Sequence, residues 1–410
     1  MTAWVHGTFD ALHNANYRRY FAGQAVSLVG TWMQTVAQGW LVLELTGSGT
    51  ALGMVAAAQF LPLLLLAPYG GLLADRMDKR RLLLATQSAL GLMALLLGVL
   101  VVTGAVQLWM VVALAFGLGI STAIDNPARQ AFAQDMVGPS RVRNAVTLNS
   151  ILVNAARAVG PAVAGLLIAT AGTGVCFLVN AISYVAVLAA LLSMDVAELQ
   201  PSPRAEKARG QVREGLAYVG RTPDLLVPLI MLALVGTLTY EFQVVLPLLA
   251  RAFDGGPGTY GLLTSAMGAG AIAGGLVVAG RGSTGLRPLT SAAAMFGTAV
   301  LVTAAAPTAI AAAAALVVVG ATSIAFLSTG NTTLQLAADP RFRGRVMALW
   351  AVAFLGSTPL GAPVIGAVSE HLSPRGGLVV GGVACLTAAA IGLLAQTRGG
   401  GRAEPGGAPA

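Results

Sequence analysis

The sequence has few charged residues for its length. Asp, Glu, Lys and Arg make up 10% of the 410 residues, whereas an ordinary soluble domain contains about 25%. Hydrophobic residues make up 56%, which excludes a water-soluble fold. Because a helix that spans a bilayer needs about 20 apolar residues, the chain has room for about twelve spans with their loops. No length remains for a second, soluble domain.

The sequence also has few residues suited to covalent or metal chemistry. Cys176 and Cys385 are the two cysteines, and neither has a Cys or His nearby, so we expect packing roles rather than a disulfide or a metal site. His6, His13 and His371 lie at the ends of apolar runs and are interpreted as surface residues. No G-x-x-x-x-G-K-[ST] phosphate loop is present. We therefore predict no enzymatic activity, no cofactor and no metal.

The charges that do occur lie between the apolar runs. The stretch from Gly70 to Arg81 contains six of them. One charge at a bilayer centre costs roughly 2.5 to 3.5 kcal/mol, so this stretch is predicted to be a short loop on the cytoplasmic side, where Lys and Arg accumulate. Of the 24 Lys and Arg, Arg251 and Arg375 fall in loops assigned to the outside, and Arg157 falls within a span. The remaining Lys and Arg residues lie in loops or at helix ends that are assigned to the cytoplasm, and this assignment places both termini there as well. Because the basic residues are scattered over short loops, the net charge of +8 indicates membrane topology rather than nucleic-acid binding.

Twelve apolar runs predict an all-α integral membrane protein. They cover residues 21–45, 51–73, 82–103, 109–132, 146–169, 175–194, 225–249, 260–279, 289–306, 308–337, 346–368 and 377–395. We predict a six-helix bundle at 1–194, a cytoplasmic linker at 195–224, a second six-helix bundle at 225–396 and a disordered cytoplasmic tail at 397–410. Within the linker, Val212, Leu216 and Val219 recur at helical spacing and indicate an amphipathic helix.

The two predicted bundles repeat each other at a shift of about 204 residues. Gly70-Gly71-Leu72 recurs as Gly274-Gly275-Leu276, while Asn126 and Gln130 recur as Asn331 and Gln335. Each match is short, and their shared offset is the signal. Such a parallel repeat predicts two bundles related by a pseudo-two-fold axis along the membrane normal.

Several motifs resemble those of one transporter family. The loop residues Gly71, Leu73, Ala74, Asp75, Arg76, Lys79 and Arg80 resemble the loop between the second and third helices of the major facilitator superfamily. Asp78 stands where that family usually has Gly. Three further runs resemble the branch of efflux proteins that includes the enterobactin exporter: Asn16 to Phe21 with Gln24, Asp125 to Ala128, and Arg343 to Met347.

The resemblance implies a secondary active transporter in the bacterial cytoplasmic (inner) membrane. It would export a small amphipathic molecule, such as a siderophore, a drug or a metabolite, in exchange for protons by alternating access. Its partners would be the substrate, protons and membrane lipid, and the chain would act as a monomer without nucleic acid. Two alternatives stay open: an importer of a nutrient or metabolite, since one fold can move solutes either way, and a membrane sensor or interaction protein without transport.

The resemblance also implies an inner gate at the cytoplasmic side. Its residues would be Gly71, Asp75, Arg76, Lys79, Arg80 and Arg345. Asp75 would face the amino end of span eleven, where a helix dipole favours an anion. Asp125, near the cytoplasmic end of span four, would pair with Lys79 or Arg80, with Arg157 as the rival partner.

Polar residues within the predicted spans are candidates for a substrate cavity. In span one, Gln24, Thr31, Gln34 and Gln38 fall broadly on one side, and hydrogen bonding between helices is the equal alternative, at about 0.6 kcal/mol a pair. The other candidates are Asn154 and Arg157 in span five, Tyr240 and Gln243 in span seven, and Asn331 in span ten.

Span five also contains Gly160, Pro161 and Gly165, which resemble the Gly-Pro motif typical of exporters in the superfamily. We expect a hinge there, because proline frees a backbone carbonyl. A close-packed seam of small residues is the alternative.

Glu241 is the predicted proton-coupling residue, with Asp125 as the next candidate. Glu241 lies about 6 Å from the middle of span seven, and that span has no basic residue to neutralise it. Burying a charged carboxylate is costly, and uptake of a proton removes that cost. The repeat places Ala37 of span one at the equivalent position, beside Gln38. The alternatives are a surface glutamate that reaches water or Arg251, and direct binding of a cationic substrate.

Overall fold

The computed structural model describes residues 9–200, 211–281 and 284–400. Over these ranges the chain forms fifteen α-helices and two short 3-10 turns, without any strand. The prediction of an all-α protein is therefore confirmed. No predicted apolar run extends more than two residues beyond its helix or pair of helices.

The helices of the first part of the sequence are long and follow one another closely. They are α1 (Ala15–Thr46), α2 (Gly49–Arg76), α3 (Lys79–Val102), α4 (Leu108–Val137), α5 (Val142–Ala171) and α6 (Thr173–Leu192). After the linker come α7 (Gln211–Arg221), α8 (Pro223–Leu238), α9 (Phe242–Ala252), α10 (Pro257–Arg281), α11 (Leu286–Ala305), α12 (Ala309–Ala337), α13 (Arg343–Leu355), α14 (Thr358–His371) and α15 (Pro374–Gly400).

Eleven segments of the described chain are long and apolar enough to cross a membrane. They lie in α2 to α6, α8 with α9, α10, α11, α12, α13 with α14, and α15. The long helix outside this set is α1, whose 32 residues would extend about 48 Å at 1.5 Å each. Glutamine and threonine side chains along α1 lower its apolar character, although its length suffices for a span.

Two predicted spans consist of two helices each. Helix α8 ends at Leu238 and α9 begins at Phe242, so Thr239, Tyr240 and Glu241 form a break. Helix α13 ends at Leu355 and α14 begins at Thr358. The sequence predicted continuous runs because hydropathy does not distinguish a helix from a short break within it. At membrane depth, non-helical backbone is tolerated where protein buries it or where it lines a cavity.

Small residues let helices from the two parts of the sequence approach closely. A Cβ built on Gly49 of α2 would lie 2.5 Å from the carbonyl oxygen of Gly366 in α14. A Cβ on Gly261 of α10 would lie 2.7 Å from the carbonyl oxygen of Pro161 and 2.9 Å from the Cα of Gly165, both in α5. Pro161 and Gly165 therefore lie in a close-packed seam between α5 and α10, and the hinge stays a prediction.

The linker and the tail differ in part from their prediction. Helix α7 lies in the linker as predicted; Val219 is buried there, whereas Leu216 is exposed. The ring of Tyr218 stacks on Phe342 with centroids 4.4 Å apart, which joins the linker to the amino end of α13. The predicted disordered tail begins too early, because α15 continues to Gly400. Residues 201–210 of the linker and 401–410 of the tail lie outside the described residues.

Candidate functional site

Two of the cavities among the described helices are lined by predicted site residues. A central cavity of about 220 Å³ is lined by side chains from both parts of the sequence. A polar cavity of about 110 Å³ lies among α1 to α4 and α6. Thr35 of α1 lines both, so the two cavities are neighbours. The central cavity meets the break between α8 and α9, where Tyr240 reaches it.

Aromatic side chains dominate the wall of the central cavity. They are Trp32, Phe60, Tyr240, Phe242, Tyr260 and Phe354. The Tyr240 hydroxyl donates a hydrogen bond to the Ser323 carbonyl oxygen at 2.8 Å, and its ring meets that of Phe354 edge-on at 4.7 Å. With its hydroxyl engaged in this way, Tyr240 presents mainly its ring to the cavity.

Arg157 is the one basic residue among the described residues that line the central cavity. Its guanidinium carbon lies 4.7 Å from the centroid of the Trp32 ring, a cation–π distance. Its Nε is buried and makes no hydrogen bond within the described part of the chain. Helix α5 carries Arg157 at a point of close packing, since a Cβ on Gly268 of α10 would lie 3.0 Å from the Arg157 carbonyl oxygen.

Glu241 lies at the break between α8 and α9 and is 1% exposed. Neither carboxylate oxygen makes a hydrogen bond of standard geometry to a described residue, and the Thr358 hydroxyl is the polar group that lies against it. A Cβ on Gly361 would lie 3.1 Å from Glu241 Oε1, so the carboxyl group faces α14. Thr358 also lines the central cavity and thus connects Glu241 with it.

Asp125 lies in the polar cavity and is surrounded by donors. It accepts hydrogen bonds from the Thr86 hydroxyl at 2.7 Å and from the Gln87 amide at 2.8 Å. Arg129, one turn further along α4, places its Nε 3.7 Å from the other carboxylate oxygen. The predicted pairing of Asp125 with Lys79 or Arg80, or with Arg157, is therefore wrong. An acid and a base four residues apart on a helix lie on the same side of it, so the spacing of Asp125 and Arg129 could have predicted their pairing.

The predicted stripe on α1 lines the polar cavity and bonds to other helices. Gln34 accepts a hydrogen bond from Asn180 of α6 at 2.5 Å, and Gln38 donates to Gln59 of α2 at 3.2 Å. Gln24 and Thr31 line the same cavity. These four residues therefore come together near Asp125, and hydrogen bonding between helices accounts for part of their arrangement.

The predicted gate residues have partners that the sequence analysis missed. The Lys79 ammonium lies 2.7 Å from Asp135, and Arg345 lies 2.6 Å from Glu214 of α7. Arg80 donates to the carbonyl oxygens of Leu191 at 2.7 Å and Leu192 at 3.2 Å. Each pair joins elements that are far apart in sequence, so no local pattern indicated it.

The loop between α2 and α3 is shorter than predicted. Asp78 is the N-cap of α3, and its carboxylate accepts from the Arg81 backbone N–H at 2.9 Å, which explains an acid where the family usually has Gly. Arg76 is exposed at the end of α2. The side chain of Asp75 and the surroundings of Gly71 lie outside the described residues, so the contact of Asp75 with span eleven stays a prediction.

Asn154 and Asn331 do not join the other predicted cavity residues. The Asn154 amide donates to the Ser150 carbonyl oxygen at 2.8 Å within α5. Asn331 accepts from Gln335 at 2.5 Å within α12. Neither lines the central or the polar cavity. Trp32 and Thr358, which do matter at the central cavity, were missed because one aromatic or hydroxyl residue in an apolar run carries no signal of its own.

The amino-acid sequence matches a known protein family. Residues 6–404 match the family described as Transmembrane secretion effector. The Staphyloferrin A transporter of Staphylococcus aureus (strain NCTC 8325 / PS 47) is 33% identical over 174 residues, and the match spans 42% of this chain and less than half, 44%, of that relative. Macrolide efflux protein A of Streptococcus pyogenes is 26% identical over 83% of this chain and 86% of its own. The enterobactin exporter of Escherichia coli O1:K1 / APEC is 24% identical over 92% and 89%.

Solved structures of transporters share the fold. A bacterial homologue of the human lysosomal transporter Spinster, in an inward-facing and unoccupied conformation, has a TM-score of 0.75 at 15% identity and covers 96% of this chain and 98% of its own. A bacterial homologue of the iron transporter ferroportin, in an inward-facing state, has a TM-score of 0.70 at 14% identity, over 94% and 99%. At such identities the likeness concerns the fold alone.

Proposed function

Because the chain belongs to the Transmembrane secretion effector family of the major facilitator superfamily, we propose that it exports a small amphipathic molecule in exchange for protons. The proposed location is the bacterial cytoplasmic membrane, with both termini in the cytoplasm. The exporting direction is supported by relatives whose names describe efflux or export. The class of molecule, a siderophore, drug or metabolite, is a proposal on the same basis.

The proposed architecture has twelve spans in two bundles, 1–194 and 225–396, joined by the linker 195–224. Helix α1 is the twelfth span in this proposal. Its glutamines face neighbouring helices and the polar cavity, where a polar side chain in a membrane finds partners. An even number of spans then brings both termini to the same side, in agreement with the basic loops.

Alternating access is supported by where the two proposed bundles touch most closely. The close approaches of α2 to α14 and of α5 to α10 lie at the helix ends assigned to the outside. There, the Glu370 carboxylate accepts from the Ser48 hydroxyl at 2.7 Å and from the Thr50 backbone N–H at 2.8 Å. These contacts suit a state that is closed to the outside, and they must separate for substrate release.

One observation supports the proposal of proton coupling: the Glu241 carboxyl group is buried at a helix break beside the central cavity. No cation pairs with it among the described residues, so binding and release of a proton change the charge of the break itself. The charge change would favour different packings of α8, α9 and α14 in the inward-open and outward-open states. Asp125 remains the second candidate, although its two carboxylate oxygens already have partners in Thr86, Gln87 and Arg129.

The inner gate is proposed at the cytoplasmic ends of α2, α3 and α13. Lys79, Arg80 and Arg345 would hold the elements that they contact, and Gly71, Asp75 and Arg76 would meet span eleven when the gate closes. Since Arg345 joins the linker helix through Glu214, movement of α13 would be transmitted to the linker.

Everted membrane vesicles from cells that lack other pumps would test export. In such vesicles an exporter accumulates its substrate in an acidified lumen. We expect fluorescent amphipathic dyes to accumulate only when the protein is present and to leak out when a protonophore collapses the pH gradient. Accumulation that is independent of the pH gradient would contradict proton exchange, and accumulation in right-side-out vesicles alone would indicate an importer.

A further inference from the structure

The central cavity contains a cation without an acidic partner. Arg157 makes no ion pair and no side-chain hydrogen bond to any described residue, and its Nε is buried. None of the described residues that line the cavity is Asp or Glu. A buried charge is normally paired, so the missing partner is expected from outside the protein.

We propose that the central cavity binds an amphipathic anion whose acidic oxygens pair with Arg157. This inference rests on the proposed function and names the charge of its substrate. The guanidinium group is planar and can hold a carboxylate or a similar oxyanion through two parallel hydrogen bonds. The aromatic wall, in which the Trp32 ring lies 4.7 Å from the Arg157 guanidinium carbon, binds the apolar part of the same molecule.

The packing around Arg157 fixes its backbone and the position of Trp32. On one side, the Arg157 backbone abuts Gly268 of α10. On the other side, a Cβ on Gly160 would lie 2.6 Å from the Cβ of Trp32, so α5 and α1 are in direct contact next to the cation–π pair. Because the Arg157 backbone is fixed and its guanidinium group lies over the Trp32 ring, part of the ordering cost of binding is already met, and such pre-organisation favours affinity.

Binding of three matched probes to the purified full-length protein in detergent would test the charge preference. The probes are 1-naphthoate, 1-naphthalenemethanol and 1-naphthalenemethylamine, which share one ring system and differ in charge. Isothermal titration calorimetry at constant pH gives each dissociation constant. We expect naphthoate to bind about tenfold more tightly than the alcohol, as a charge-assisted hydrogen bond provides, and the amine to bind most weakly.

Substitutions at Arg157 separate its charge from its place in the fold. Arg157→Gln should remove the preference for naphthoate over the alcohol, and Arg157→Lys should keep part of it, because an ammonium retains the charge without the planar fork. Arg375→Gln is the matched control, since Arg375 also lies over an aromatic ring, that of Phe253 at 5.6 Å, but does not line the cavity. It should keep the preference unchanged.

The proposal is overturned if naphthoate binds no more tightly than the alcohol, or if its advantage survives Arg157→Gln. In either case Arg157 would serve the protein's own packing. Binding is measured without a gradient, so its outcome does not depend on transport. A clear anion preference together with the absence of gradient-driven accumulation in vesicles would contradict the proposed export but would uphold the anion site.

Discussion

Asp125 and Glu241 are both buried acids within helical spans, and their surroundings differ. Asp125, 3% exposed, has two hydrogen-bond donors and a nearby guanidinium group. Glu241, 1% exposed, has the Thr358 hydroxyl against it and no cation beside it among the residues that the structure describes. A buried polar group with partners stabilises one packing, whereas one without them is costly and indicates a function. We therefore propose that the polar cavity mainly stabilises the fold and that the central cavity serves transport, with Asp125 as the second candidate for coupling.

The largest effect is expected for uphill transport by Glu241→Gln. The amide keeps the size of the side chain but cannot exchange a proton, so gradient-driven accumulation in vesicles should fall to the level of vesicles without the protein. Exchange of labelled for unlabelled dye, which needs no proton, should persist. Glu44→Gln is the matched control; Glu44 accepts a hydrogen bond from Trp40 within α1 at 2.8 Å and lies outside both cavities. Uphill transport by Glu241→Gln would transfer the coupling role to Asp125.

A smaller effect, on stability, is expected at the polar cavity. Asp125 is buried and Arg129 is partly exposed, so loss of the carboxylate leaves a partly screened charge and two unpaired donors, at a cost of about 1 to 3 kcal/mol. Asp125→Ala should therefore lower the melting temperature of the purified protein. Asp125→Asn should lower it less, because Thr86 and Gln87 can still donate to the amide oxygen. The double substitution Asp125→Ala with Arg129→Ala should recover part of the loss. Glu241→Gln should not lower the melting temperature, and a decrease as large as that of Asp125→Ala would remove the distinction between the two acids.

The smallest effects are expected from the hydroxyl groups beside the two acids. Thr86→Val removes a hydrogen bond of 2.7 Å to Asp125, worth about 1 kcal/mol. Thr358→Val removes the hydroxyl beside Glu241. Within the described part of the chain, the Glu241 carboxylate makes no hydrogen bond of standard geometry, so this substitution should change the melting temperature less. Both substitutions nearly preserve side-chain volume, so a comparison of their melting curves isolates the hydroxyl. A larger decrease for Thr358→Val would mean that Glu241 is better stabilised than its geometry indicates.

Much of the fold could be predicted from the sequence. Long apolar runs in a membrane must be helical, because a helix satisfies every backbone polar group within its own segment. The orientation and the two bundles, which the basic loops and the repeat indicate, stay predictions. Candidate residues were identifiable where the residue type itself was unusual for a span, as with Arg157, Glu241 and Asp125. Asn154 and Asn331 met the same criterion and lie outside the cavities.

Only the tertiary structure decided which of these residues meet. Rotation of each helix about its axis and the close approach of small residues determine which side chains share a cavity, and neither follows from hydropathy. The structure therefore brings Arg157 onto Trp32, separates Asp125 from Lys79, and joins Lys79 to Asp135. The break between α8 and α9 directs the Glu241 side chain towards α14. This break also depends on tertiary packing, because a neighbouring helix must cover the backbone that the break leaves unpaired.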